Sequence, residues 1–101
     1  MKFDPAEKID AEKAHSIIRE IVEDGEIIFS NHAKERMKER DYSTHDVEHI
    51  LIRGEIINTE FKDKTQSWAY KIKGDDLEGD EGGVVTAIIS RQACVIITVL
   101  G

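Results

Sequence analysis

A chain of 101 residues with 40% hydrophobic and 35% charged side chains can build one domain with a real core and is too apolar to stay disordered. Its net charge of −7 argues against a generic nucleic-acid binder, because phosphate contacts need clustered Lys and Arg. No apolar run reaches the ~18 residues of a membrane span, and the opening MKFDPAEKID has no signal-peptide core, so the expectation is a cytoplasmic protein.

The first element reads as a helix. Asp4 is a candidate cap, Pro5 suits the first helical position, and Glu7 completes a capping box. Ile9, Ala14, Ile17, Ile18, Ile21 and Val22 then recur at near-helical spacing until Gly25. EIIF, residues 26–29, is a brief strand. A second helix fits residues 31–40, capped by Ser30 or Asn31. A third starts at Ser43, with Asp46 closing a capping box, carries Val47, Ile50 and Leu51 on its apolar stripe, and stops at Gly54.

Beyond Gly54 the period changes. EIINTEF is a strand and KDKT a turn. QSWAYKIK alternates, with Trp68, Tyr70 and Ile72 on one face and Lys71 and Lys73 on the other. GDDLEGDEGG is a charged loop. VVTAIIS and ACVIITVL read as central strands joined by a tight Arg91–Gln92 connection. Together these elements predict a two-layer α+β domain: N-terminal helices packed on one face of a four-stranded antiparallel meander sheet, with Lys71 and Lys73 on the open face. Cys94 lies in an apolar run, which fits a packing role in a reducing compartment.

The stretch SNHAKERMKER, residues 30–40, departs from the acidic average. Lys34, Arg36, Lys38 and Arg40 outnumber Glu35 and Glu39, a local surplus of two positive charges. At ~100° per residue, Ala33 and Met37 form the buried stripe, and His32, Arg36 and Arg40 share one edge of it. Lys34 and Lys38 line the other edge. Three groups able to donate to a phosphate thus stand on one ridge beside the core, where charge acts more strongly than on an open surface. The same pattern also describes an ordinary amphipathic helix, with basic residues opposing the helix dipole and weak surface ion pairs.

FSNHAKERMKERDYSTHDVEHILIRGEII resembles the signature of a family of small prokaryotic proteins catalogued as domain of unknown function four-two-five-eight. The match runs through Ser30, His32, Ala33, Arg36, Met37, Arg40, Ser43, Asp46, Val47, Gly54 and the closing IITV. It covers residues 27–100 and makes residues 1–25 an added N-terminal helix on a 26–101 domain. Asp41 stands where that family usually has glycine, which alters the inter-helix turn and leaves the motif intact. The family is more distantly similar to RelE/BrnT/MqsR-like toxins, which cut RNA without a metal, some of its members lying beside zinc-finger antitoxins. The resemblance implies a metal-independent endoribonuclease of a toxin–antitoxin pair, with RNA and an antitoxin protein as partners.

The residues suit that chemistry. His32 can serve as base or acid, the role imidazole commonly takes in proton transfer. Arg36 and Arg40 can hold the phosphate, Arg being suited to bidentate contact, and Lys71 can add charge. Tyr70 could stack on a base, but its alternation with Trp68 and Ile72 assigns it to the core. The competing reading is a non-catalytic module that docks RNA or a protein through the same basic helix. A third is a metal domain through His45 and His49, spaced i, i+4. There Asp46 stands in place of the zinc-protease Glu, and no third ligand is evident, so no metal or cofactor is expected. GDDLEGDEGG lacks EF-hand spacing, and no phosphate loop, dinucleotide fingerprint or serine-hydrolase elbow is present. Open sheet edges make a homodimer a further expectation.

Overall fold

The computed structural model describes residues 4–100. Residues 1–3 of the expected 1–25 unit and Gly101 of the expected 26–101 domain lie outside it. The element order is α1 (Ala11–Asp24), β1 (Glu26–Phe29), α2 (Asn31–Arg40), α3 (Thr44–Arg53), β2 (Glu55–Lys62), β3 (Ser67–Asp75), β4 (Glu81–Ser90) and β5 (Ala93–Leu100). No helix among the described residues is long and apolar enough to cross a membrane.

Two expectations need correction. The first helix does not start at Asp4. Residues 5–7 form a turn, residues 8–10 are irregular, and α1 begins after Asp10, whose carboxylate accepts from the Lys13 N–H at 2.8 Å. The physical reason is tertiary. Trp68 donates its backbone N–H to the Pro5 carbonyl at 3.2 Å and its indole Nε1–H to the Ala6 carbonyl at 3.0 Å, which holds this segment against the sheet. The sheet is also not a four-stranded antiparallel meander. It has five strands in the order β1-β5-β4-β3-β2, and β1 joins it parallel to β5, with Glu26 opposite Ala93 and Phe29 opposite Ile96. The four antiparallel strands are as expected. The parallel pairing brings together segments more than sixty residues apart, and four residues of sequence carry no local sign of it.

The central position of β4 and β5 explains their continuous apolar runs, since both faces are partly covered. The helices lie on one face. Ala14, Ile17, Ile18 and Ile21 of α1, Ala33 and Met37 of α2, and Val47, Ile50 and Leu51 of α3 meet Tyr70, Ile72, Val84, Ile88, Cys94, Ile96 and Val99 of the sheet. Burial raises the Tyr70 hydroxyl and pushes the Cys94 thiol up, so both are packing residues here.

Local chemistry sets the helix ends. Ser43 caps α3 and Asp46 returns the bond to the Ser43 N–H at 2.9 Å, which completes the expected box. The Ser43 backbone N–H holds the Asp46 carboxyl below its usual value. At the other end of α3, α1 supplies partners for otherwise orphaned carbonyls. His15 Nε2 lies 2.8 Å from the Leu51 oxygen, and Arg19 Nε donates to the Ile52 oxygen at 3.1 Å. Gly54 ends α3 with extended backbone, and a Cβ there would lie 2.7 Å from the Ile72 side chain and 2.8 Å from the Lys73 carbonyl. Glycine is needed for space rather than for a positive φ.

Asp41 does occupy a left-handed conformation, with φ 57° and ψ 39° at the C-terminus of α2. That is where glycine carries no Cβ penalty, and Asp is among the few other residues that tolerate it. The carboxylate also sits at the negative end of the helix dipole. Asp41→Gly should therefore raise stability by about 0.5–1 kcal/mol, read as an increased midpoint in chemical denaturation. An unchanged or lower midpoint would show that the turn does not strain the aspartate.

Candidate functional site

Ser30 builds the site. Its N–H donates to the Ile96 carbonyl at 3.1 Å and its hydroxyl to the Ile97 carbonyl at 3.0 Å, while its Oγ accepts the Ala33 N–H at 3.0 Å. One residue thus ends β1, caps α2 and ties the first turn of α2 to β5. With Ala33 and Met37 buried, the remaining faces of α2 are placed by rotation alone.

His32 is exposed one turn before Arg36 on the same side of α2. Arg36 is half-buried, its side chain 31% exposed. Its Nε donates to the Val99 carbonyl at 3.5 Å, a long bond, and its Nη1 meets Glu39 at 3.2 Å. Nη2 has no partner among the described residues. The guanidinium is therefore held against the end of β5 with one donor pair outward.

Arg40 goes elsewhere. It lines a cleft of about 360 Å³ with Tyr42 and seven carboxylates, those of Glu39, Asp41, Asp46, Asp76, Glu78, Asp80 and Glu81. Its Nε is buried and has no hydrogen-bond partner among the described residues. Burial first, and then the Asp76 carboxylate, raise the Tyr42 hydroxyl above its usual value. Asp76 itself is buried and organises the β3–β4 loop by accepting from the Glu78 N–H at 2.9 Å and the Asp80 N–H at 3.0 Å. The acidity of this loop is visible in the sequence. Its arrival beside the C-terminus of α2 is not.

Lys71 stands on the opposite face of the sheet, because Tyr70 and Ile72 on either side of it point into the core. It lines a shallow depression with Ile57, Lys73 and Leu100, where Lys73 pairs with Glu81 at 2.8 Å. Of the four candidate site residues, the structure places His32 and Arg36 together. It sets Arg40 at an acidic cleft and Lys71 behind the sheet.

The histidine pair on α3 is divided. His49 Nδ1 lies 2.9 Å from the Asp75 carbonyl, whereas His45 is exposed. Among the described residues no group of three His, Cys, Asp or Glu side chains is placed to hold a metal ion.

These features define a small α+β domain that packs a basic helix on one face of a mixed sheet, with His32 exposed and Arg36 half-buried on one side of that helix. The chain belongs to the family described as domain of unknown function DUF4258, whose model matches residues 29–100. Neither the curated proteins nor the solved structures provide a match. Helix α1 precedes the matched residues and contributes Ala14, Ile17, Ile18 and Ile21 to the same core.

Replacing Ser30 by Ala removes the α2 cap and the bond to Ile97 together. The expected loss is about 1–3 kcal/mol, read by thermal or chemical denaturation. A loss within a few tenths would show that β1 pairing alone holds α2 in place.

Proposed function

We propose that the N-terminal half of α2 is a phosphodiester site and that this protein cleaves RNA without a metal, as the family's more distant resemblance to RelE/BrnT/MqsR-like toxins suggests. The observation that carries this reading is the pairing of an exposed His32 with an Arg36 held by the end of β5. The Asn31 and His32 backbone N–H groups open the same helix and favour an anion there.

In this reading an RNA phosphate sits against Arg36 Nη2. His32 takes the proton from the 2′-hydroxyl as that oxygen attacks phosphorus. The bond to the 5′-oxygen breaks, leaving a 2′,3′-cyclic phosphate and a 5′-hydroxyl that receives a proton from solvent. Arg36 offsets the charge gathered on the non-bridging oxygens. No described side chain beside His32 is assigned as the matching acid.

A second reading rests on the dispersal of the cations. Arg40 faces carboxylates and Lys71 lies on the other sheet face, so the phosphate-facing charge is thin for a cutter. That favours a module that docks RNA or an antitoxin through α2 without cutting.

Induced expression in bacteria separates the two. Wild type should arrest growth and degrade RNA, and His32→Ala should abolish both while folding normally. Well-expressed, soluble wild type that leaves growth and RNA intact would overturn the nuclease reading and leave the docking one.

Glu39 competes with phosphate for Arg36. Glu39→Gln should raise affinity for single-stranded RNA by up to about fivefold, the range of a surface ion pair. Unchanged affinity in a binding titration would remove Arg36 from the RNA contact.

A further inference from the structure

We propose that two copies of this chain pair through their β2 strands, antiparallel and symmetric about Thr59, to join two five-stranded sheets into one. The proposal is independent of the function assigned to α2.

The first ground is an open edge. β2 ends the sheet, with β3 on one side and no strand on the other. Its eight residues give an edge of about 26 Å. It carries no proline, and Ile57 is 50% exposed on it. The free N–H and C=O groups of such an edge template another strand, and the bulge and charges of β2 restrict that pairing to a register in which both are matched. The opposite edge, β1, has only four residues.

The second ground is the sequence of that edge. Ile56 faces Ile72 across the β2–β3 pair, and Thr59 and Phe61 face Tyr70 and Trp68, so Ile56, Thr59 and Phe61 share the helix-covered side. Glu55, Asn58, Glu60 and Lys62 occupy the open side, and the irregularity between Ile56 and Asn58 makes Ile57 an extra residue. Place Thr59 on a two-fold axis and count Ile57 with Asn58 as one step. Every facing pair then lies on the same side of the sheet. Ile56 meets Phe61 of the partner subunit, an apolar pair. Glu55 meets Lys62 of the partner subunit, an ion pair, and symmetry repeats both. The bulge, which would spoil pairing in most registers, falls opposite Glu60 of the partner subunit.

The charges within one protomer are consistent with this. Glu55 lies opposite Lys73, but Lys73 is paired with Glu81 at 2.8 Å, and no ion pair engages Glu55 among the described residues. Lys62 meets Glu60 at 3.3 Å, a contact that leaves it free to bridge to a second carboxylate.

A charge-swap series tests the arrangement. Sedimentation over a wide concentration range should show wild type reaching twice the 11.5 kDa protomer mass. Glu55→Lys and Lys62→Glu should each weaken the dimer by about tenfold, because each puts two like-charge pairs at the interface. The double variant Glu55→Lys/Lys62→Glu should restore wild-type association. Thr59→Cys should form a disulfide-linked dimer on mild oxidation, with Cys94 buried and silent. This last variant keeps the test decisive should a charge variant fail to fold. A monomer at every concentration, association indifferent to both single swaps, or no Thr59→Cys cross-link would overturn the proposal.

Discussion

The hydroxyl of Ser30 does two jobs that are ordinarily separate: it accepts from the first turn of α2 and donates to the Ile97 carbonyl on β5. Around this one oxygen the parallel β1–β5 pair, the start of α2 and the far end of β5 are fixed relative to one another. The position of every outward group on α2 follows, because a helix capped at one end and buried along Ala33 and Met37 has no remaining rotation. Arg36 reaches the Val99 carbonyl for this reason, three residues further along β5 than the Ser30 contact at Ile96.

The same placement divides the charge of α2. Its N-terminal half presents His32, free backbone N–H groups and one outward arginine edge. Its C-terminal half borders a cleft lined by seven carboxylates, which Arg40 also lines. A polyanion approaching the helix meets attraction at one end and repulsion at the other over about 15 Å, the length of ten helical residues. Seven of the 21 acidic residues line that cleft, so the negative charge nearest α2 gathers at its C-terminal half. The edge strand β2 lies at the other side of the sheet from β1 and leaves the α2 surface clear.

Much of this was legible in the residues. The Ser43–Asp46 box, the stop at Gly54, the Ala33–Met37 stripe, the alternation around Trp68, Tyr70 and Ile72, and the Arg91–Gln92 connection depend on near neighbours, and their sequence signals are correspondingly direct. Asp41 does not belong with them: it was expected to alter the inter-helix turn, yet it adopts the left-handed conformation that glycine favours there. The start of α1 was misread because Asp4, Pro5 and Glu7 form a sound local cap. Bonds from Trp68 to Pro5 and Ala6 outweigh it.

By itself the sequence determined the order of the main elements, the caps of α2 and α3, the buried stripe of each helix and the ridge on which His32, Arg36 and Arg40 begin. These rest on interactions within a few residues. Only the tertiary structure decided that β1 runs parallel to β5 and that Arg40 turns into an acidic cleft while Arg36 does not. Each of those outcomes depends on contacts between segments tens of residues apart, set by packing and backbone pairing that no local period encodes.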